Sequence, residues 1–259
     1  MGIEIFERHL REKRAIKISA GSNNLNLETV AKVCKAAQMS RASAVEITCS
    51  KEVYNIARKN TKLPLFVSSI HPFEILDAVK MGIDAVIIGN YFETYKKGQK
   101  FSASEIYDIV LETMGLINNY DVYIAVTIPA SITFEEQVEL VKKLEVLGVN
   151  LIQTEGYKKS STNPNAIIES AEFSIKNLEE ISKITRVPII ASCAMNETAT
   201  KAAFEKGAYA VSIDSYVNKL DSEAAMKAAI LNIVGSISYR NSLNKELVRN
   251  GRELSINNL

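Results

Sequence analysis

The sequence predicts a (β/α)8 TIM barrel spanning residues 1–259 as a single domain. Three observations carry this. Eight short β-rich runs alternate with amphipathic segments from end to end, the count that this barrel needs. The length of 259 residues matches the roughly 250 typical of the fold. Helical stretches close on a glycine with a strand opening three residues on: Gly82 before AVII, Gly148 before LIQT and Gly207 before AVSI.

The expected strands run in order as AIKIS (15–19), AVEIT (44–48), LFVSS (65–69), AVIIG (85–89), VYIAVTI (122–128), LIQTE (151–155), IIASC (189–193) and AVSID (210–214). Each is a short run rich in β-branched or aromatic residues. Between them, stretches such as LETVAKVCKAA (27–37) and FEEQVELVKKLEVL (134–147) repeat apolar residues at helical spacing. Pro64 and Pro188 precede strands three and seven and Pro129 closes strand five, so a missing N–H falls only at a strand edge. The rival fold is a doubly wound open sheet, but its GxGxxG fingerprint is absent. TKLPLFVSS (61–69) echoes TRVPIIASC (185–193), and AVKMGIDAVIIGN (78–90) echoes AAFEKGAYAVSIDS (202–215). A duplicated half-barrel leaves such echoes, and so does the common chemistry of helix-to-strand connections; either origin favours a barrel.

Composition narrows the function. Thirty-one Lys and Arg face thirty Asp and Glu, a net charge of +1, which sets up no strong field for nucleic acid or a membrane surface. The aromatic residues form no RNA-stacking pattern. No run of about 18 apolar residues occurs, and the charged start MGIEIFERHLREKR is neither a secretory nor a transit signal. Cys34, Cys49 and Cys193 are scattered without CxxC, which points to a reducing compartment. His9 and His71 cannot form a zinc site alone, and no Walker A or GxSxG motif occurs, so no metal and no cofactor is expected.

Side chains of a barrel strand alternate between lumen and helix layer. Polar residues within the strands therefore mark the lumen: Lys17 and Ser19, Glu46 and Thr48, Thr127, Gln153 and Glu155, Ser212 and Asp214. Active sites of this fold lie at the C-terminal strand ends. Lys17 and Glu46 fall on adjacent strands and should neutralise each other, because an unpaired charge in the lumen is costly. They read either as a structural ion pair or as a functional one, with Lys17 serving Schiff-base, proton-transfer or anion-holding work. Glu155, one residue before Gly156 at the barrel mouth, is the best candidate for general acid/base work, with loop fixing as its plainer role. His71, before Pro72 at the end of strand three, is a second acid/base candidate or a plain loop residue.

The ends of strands seven and eight, PIIASCA (188–194) and AVSIDS (210–215), pose a question. Barrels of the aldolase and phosphate-binding type grip phosphate there with backbone N–H groups, usually at glycines. Here Cys193 and Ala194 narrow the approach and the Asp214 carboxylate repels an anion. A standard grip is therefore not expected. IIGN (87–90) keeps its glycine, so Gly89 and Asn90 could hold an anion instead, with Lys96, Lys97 and Lys100 nearby. The loops GNYFETYKKGQKF (89–101) and GYKKSSTNPNAIIES (156–170) are long for this fold and read as lids or binding loops. In the second, Lys158, Lys159, Ser160 and Ser161 could order around an anion or remain a plain surface loop.

The runs AIKISAGSNN (15–24), IGNYFETYKKGQKFSASEI (88–106), QTEG (153–156) and VNKLDSEAAM (217–226) together resemble the conserved hypothetical chloroplast reading frame family numbered twenty-three. The resemblance covers nearly the whole chain. It implies a TIM barrel and a place in the plastid stroma, or in the cytoplasm of a cyanobacterium, and it implies no particular chemistry. It carries over Lys17, Gly21, Asn23, Asn24, Gly89, Asn90, Gly98, Phe101, Gln153, Glu155, Gly156 and Asn218. This chain departs from the family pattern at Ala194 and Asp214, where relatives favour glycine, and at Ala130, where many carry histidine. The expected function is a lyase, isomerase or synthase acting on a small, possibly phosphorylated, metabolite at the strand ends, with Lys17, Glu46 and Glu155 catalytic. Gly21, Asn23, Asn24, Gly89, Asn90, Gln153, Gly156 and Ser212 are the expected binding residues. The alternative is a regulatory barrel that binds a metabolite or protein beside a decayed phosphate site. The partner expected is a small molecule, with neither nucleic acid nor membrane, and a homo-oligomer is allowed.

Overall fold

The computed structural model describes residues 2–91, 94–95, 97–156 and 166–237. Eight parallel strands close into a barrel in sequence order. They are β1 (Ala15–Ser19), β2 (Ala44–Ile47), β3 (Leu65–Ser69), β4 (Ala85–Ile88), β5 (Tyr123–Ile128), β6 (Leu151–Thr154), β7 (Ile189–Ala191) and β8 (Ala210–Ile213). Helix α1 (Glu4–Arg11) precedes them. The outer helices are α2 (Leu27–Met39), α3 (Lys51–Asn60), α4 (Pro72–Lys80), α5 (Ala103–Ile117), α6 (Phe134–Leu147), α7 (Ala166–Ile181) and α8 (Glu197–Glu205). After β8 come the short α9 (Ser215–Asn218) and a last helix, α10, over 223–237.

Local sequence sets these boundaries. Asn26 and Asn196 accept hydrogen bonds from the first turns of α2 and α8, and Ser102 with Glu105 and Thr133 with Glu136 close capping boxes on α5 and α6. Gly148 ends α6 in the left-handed region at φ 83°, which costs glycine nothing. β7 lacks Ser192 and Cys193 of its sequence run, because the chain leaves the ladder just before the left-handed turn at Cys193 and Ala194, at φ 77° and 55°.

The strands alternate as the polar positions require. Ile16, Ile18, Val45, Ile47, Val67, Val86, Ile88, Val126, Ile152 and Val211 pack outward against the helices. The inward set divides by height. At the N-terminal end it is Ala15, Ala44, Phe66, Ala85, Ala125, Leu151, Ile190 and Ala210. Five alanines leave room in that layer, and α1 fills it from below with Phe6 and Leu10; the Phe6 and Phe66 rings meet edge to face at 5.0 Å. The sequence reading did not anticipate this plug. His9 of α1 is buried beside Ser43, its Nδ1 2.8 Å from the hydroxyl. Burial, with Arg14 and Arg8 adding, pushes its pKa down to about 4. Toward the C-terminal end the inward set turns polar, and there the site lies.

Candidate active site

A cavity of about 690 Å³ opens at the C-terminal ends of the strands. Its floor is a hydrogen-bonded network. Lys17, fully enclosed, starts one layer lower and reaches up, its Nζ donating to Glu46 Oε2 and, at 3.0 Å, to Gln153 Oε1. Ser68 donates to Glu46 Oε1 at 3.0 Å, and Gln153 Nε2 donates to Thr127 Oγ1 at 3.2 Å. Five strands are thereby tied by side chains alone. Burial pulls the Lys17 ammonium pKa down, opposed by the charges of Glu46 and Asp214. Glu46, Ser68, Thr127 and Gln153 line the cavity; Lys17 lies beneath them and does not. An amine so placed is a prop for Glu46 and Gln153, and it has no route to a carbonyl carbon while that floor is intact.

The wall carries Glu155. Its Oε2 accepts from the Tyr95 hydroxyl at 2.8 Å and from the Ala130 N–H at 2.9 Å. Among the described residues its Oε1 has no partner, and the side chain lines the cavity. Burial raises the Glu155 pKa to about 7, although the two hydrogen bonds pull it back down. Tyr95 stays protonated: burial and then the Glu155 charge push its pKa up. The Tyr91 and Phe101 rings hold the segment that carries Tyr95, with Tyr91 centred 6.2 Å from Tyr95 and 5.8 Å from Phe101, and the Tyr91 hydroxyl donates to Thr127 O at 2.9 Å. Tyr95 escaped the sequence reading. Its only signal there was its spacing of four residues from Tyr91 in a loop already marked as long.

The other expected residues divide. Gly21, Asn90, Gln153, Gly156 and Ser212 line the cavity; Asn23, Asn24 and Gly89 do not. Asn24 is spent on its own loop, donating to Ala20 O at 2.8 Å, and Asn23 accepts from Asn90 Nδ2 at 3.2 Å. The Gly89 N–H, expected to meet an anion, donates instead to Ser69 O at 3.1 Å. Gly89 is needed for space, since a Cβ there would lie 2.6 Å from Thr127 Cβ. Gly156 is likewise confined, with Ser170 O 2.5 Å and Cys193 Cβ 2.8 Å from where a Cβ would stand. Thr48 ties the β1–α2 loop by donating to Gly21 O and Asn24 O, at 2.9 and 2.8 Å. His71 is exposed at the start of α4, outside the cavity lining. Lys100 lies at the cavity, whereas Lys96 and the segment with Lys158, Lys159, Ser160 and Ser161 fall outside the described residues.

With this geometry in place, comparisons with known proteins give the chain its family. A family model described as a protein of unknown function (DUF561) matches residues 4–243. The chain belongs to that family. Curated relatives carry the description "Uncharacterized protein ycf23", in agreement with the sequence resemblance. The one from Cyanophora paradoxa is 32% identical over 91% of this chain and 96% of its own, and the one from Antithamnion sp. is 32% identical over 88% and 86%. Among solved structures, the chain is similar to (S)-3-O-geranylgeranylglyceryl phosphate synthase from Thermoplasma acidophilum in complex with sn-glycerol-1-phosphate, at 12% identity, TM-score 0.61, covering 92% of this chain and 98% of that one. It is also similar to the YdjI aldolase from Escherichia coli K12, at 13% identity, TM-score 0.59, covering 90% and 93%. At these identities the likeness is one of fold, a TIM barrel. Among the described residues no helix is long and apolar enough to cross a membrane.

Proposed function

We propose that this barrel is an enzyme, a lyase, isomerase or synthase of a small polar metabolite, in which Glu155 moves the proton. The observation that carries the reading is the Glu155 carboxyl itself: half-buried, lining the cavity, braced on Oε2 by Tyr95 and Ala130 while Oε1 has no partner among the described residues, and brought to a pKa of about 7. A carboxyl poised near neutrality takes and returns a proton with little loss either way, which is what general acid/base catalysis requires. Glu155 removes a proton from the substrate carbon or oxygen beside Oε1 and returns it elsewhere on the same molecule. The Tyr95 hydroxyl, which stays protonated, donates to the carboxylate while it bears charge. Lys17 acts from below the floor, holding the Glu46 carboxylate and turning the Gln153 amide so that its Oε1 faces down. Fold neighbours that are a phosphate synthase and an aldolase support this class of chemistry, and plastid relatives support a plastid location, the stroma in particular.

The test is conversion. Wild-type protein and Glu155→Gln, which keeps the shape of the side chain, are incubated with a plastid metabolite extract and the products followed by mass spectrometry. Wild type should deplete a metabolite that the variant, folded to the same helical content, leaves untouched. No depletion by wild type, or equal depletion by both, contradicts the reading.

A further inference from the structure

The wall of the cavity from β6 to β8 is built of hydrogen-bond acceptors and hydroxyls that the fold does not use. Ser212 of β8 is 3% exposed and lines the cavity, and among the described residues its hydroxyl has no partner. That hydroxyl keeps access to the cavity, so a ligand there can supply the hydrogen bond that the fold does not. Ser192, at the end of β7, also lines the cavity with its hydroxyl unpartnered among the described residues. Asp214, which lines the cavity, spends Oδ1 on the Ser215 N–H at 2.5 Å and the Ser215 hydroxyl at 3.2 Å, which leaves Oδ2 without a partner among the described residues. Glu155 offers Oε1 on the same side.

This set suits a particular chemistry. The Asp214 carboxylate oxygen accepts hydrogen bonds and gives none, Glu155 Oε1 accepts when its carboxyl is ionised, and two hydroxyls do both. A phosphate, which brings charge and acceptors, would meet repulsion from Asp214 at the place where barrels of this type usually hold it. An aliphatic chain would leave all four groups unsatisfied. A run of hydroxyls satisfies them, donating to Asp214 Oδ2 and Glu155 Oε1 while exchanging hydrogen bonds with Ser192 and Ser212. An ammonium also donates, but the cavity already holds cations: Lys100 and Lys219 line it, and Lys17 neutralises Glu46.

We propose that the β6–β8 wall binds the polyhydroxylated end of the substrate, a sugar or sugar-alcohol carbon chain, through Asp214, Ser212, Ser192 and Glu155 Oε1. The inference rests on the cavity being the substrate site and adds the substrate class. Any anionic group of that substrate then faces away from β7 and β8.

Binding is measured on the full chain by saturation-transfer NMR with three probes, xylitol, inorganic phosphate and 1,4-diaminobutane, on wild type, Ser212→Ala, Asp214→Asn and Glu155→Gln. Asn at 214 keeps an oxygen for the Ser215 N–H, and each variant is checked by its melting curve. Xylitol should bind wild type, and binding should weaken about tenfold on loss of a hydrogen bond to the Asp214 charge. It should weaken less in Ser212→Ala, and also in Glu155→Gln, whose amide oxygen stays with the Tyr95 hydroxyl and the Ala130 N–H and whose NH2 then replaces the acceptor at the cavity. If Asp214→Asn does not fold, Ser212→Ala alone decides. Xylitol that does not bind, or binds wild type and the folded β8 variants alike, overturns the proposal. So does phosphate or the diamine binding more tightly than xylitol and weakening in those variants. Xylitol binding does not depend on proton transfer, so a polyol site with no turnover would sink the proposed catalysis and leave this assignment standing, and turnover without polyol binding would do the reverse.

Discussion

At the ends of β3 and β4, the Ser69 hydroxyl donates to Glu74 at 2.6 Å and accepts from the His71 N–H at 3.0 Å, while Ser69 O takes the Gly89 N–H. Asn90, left-handed at φ 78°, accepts from Ser22 and donates to Asn23, tying the loops after β1 and β4. At the ends of β7 and β8, whose sequences echo these, Ser192, Ser212 and Asp214 keep polar atoms with no partner among the described residues, and Cys193 and Ala194 bear the left-handed turn without a glycine. The half that kept Gly89 thus closes on itself, and the half without glycine stays open to a ligand. A glycine at a strand end is not by itself the sign of an anion site. Where its N–H goes, and what crowds its Cα, decide.

The largest effect expected concerns the floor that both halves share. Lys17→Met strands the Glu46 carboxylate in the lumen and should cost about 3–5 kcal/mol in thermal or urea unfolding. The double variant Lys17→Met/Glu46→Leu should recover much of that. If the single variant is as stable as wild type, the floor is not the ion pair described.

A smaller pair of effects separates the two halves. Gly89→Ala pushes a methyl into Thr127 and should cost about 1–3 kcal/mol. Ala194→Gly relieves a left-handed alanine and should gain about 1 kcal/mol. The same signs at both sites would erase the contrast. Ala194→Gly/Asp214→Gly also removes the repelling charge, and phosphate binding should appear there while wild type should show none; phosphate already bound by wild type at β7–β8 would contradict the account of the lost glycines.

The contrast was only partly legible in the sequence. Short runs of β-branched and aromatic residues located the strands, and alternation within them assigned Lys17, Glu46, Gln153 and Ser212 to the lumen, because a period of two says in or out. It does not say how high. Lys17 therefore read as a lumen residue of no stated height, and its place beneath the floor follows from the stagger of β1 against β2 and from the length of its own side chain. The α1 plug was illegible for a similar reason: it answers alanines spread over five strands, with no local trace in its own eight residues. Tyr95 meets Glu155 across sixty residues of chain, so its role emerges only once β4 and β6 sit two strands apart.

The central claim is the Glu155 carboxyl held near neutrality. Its folded pKa of about 7 lies above the ordinary 4.5, so the folded protein binds a proton that the unfolded chain releases between those values. The stability tied to that proton is fully present below about 4.5 and is lost as pH rises through about 7. The direct measurement is a pH titration of the glutamate side-chain carboxyl carbons by NMR in 13C-labelled protein, with Glu155→Gln assigning the resonance. The account predicts a midpoint near 7, moving higher in Tyr95→Phe as a hydrogen bond to the carboxylate is lost. A midpoint near 4.5 that does not move in Tyr95→Phe would contradict it.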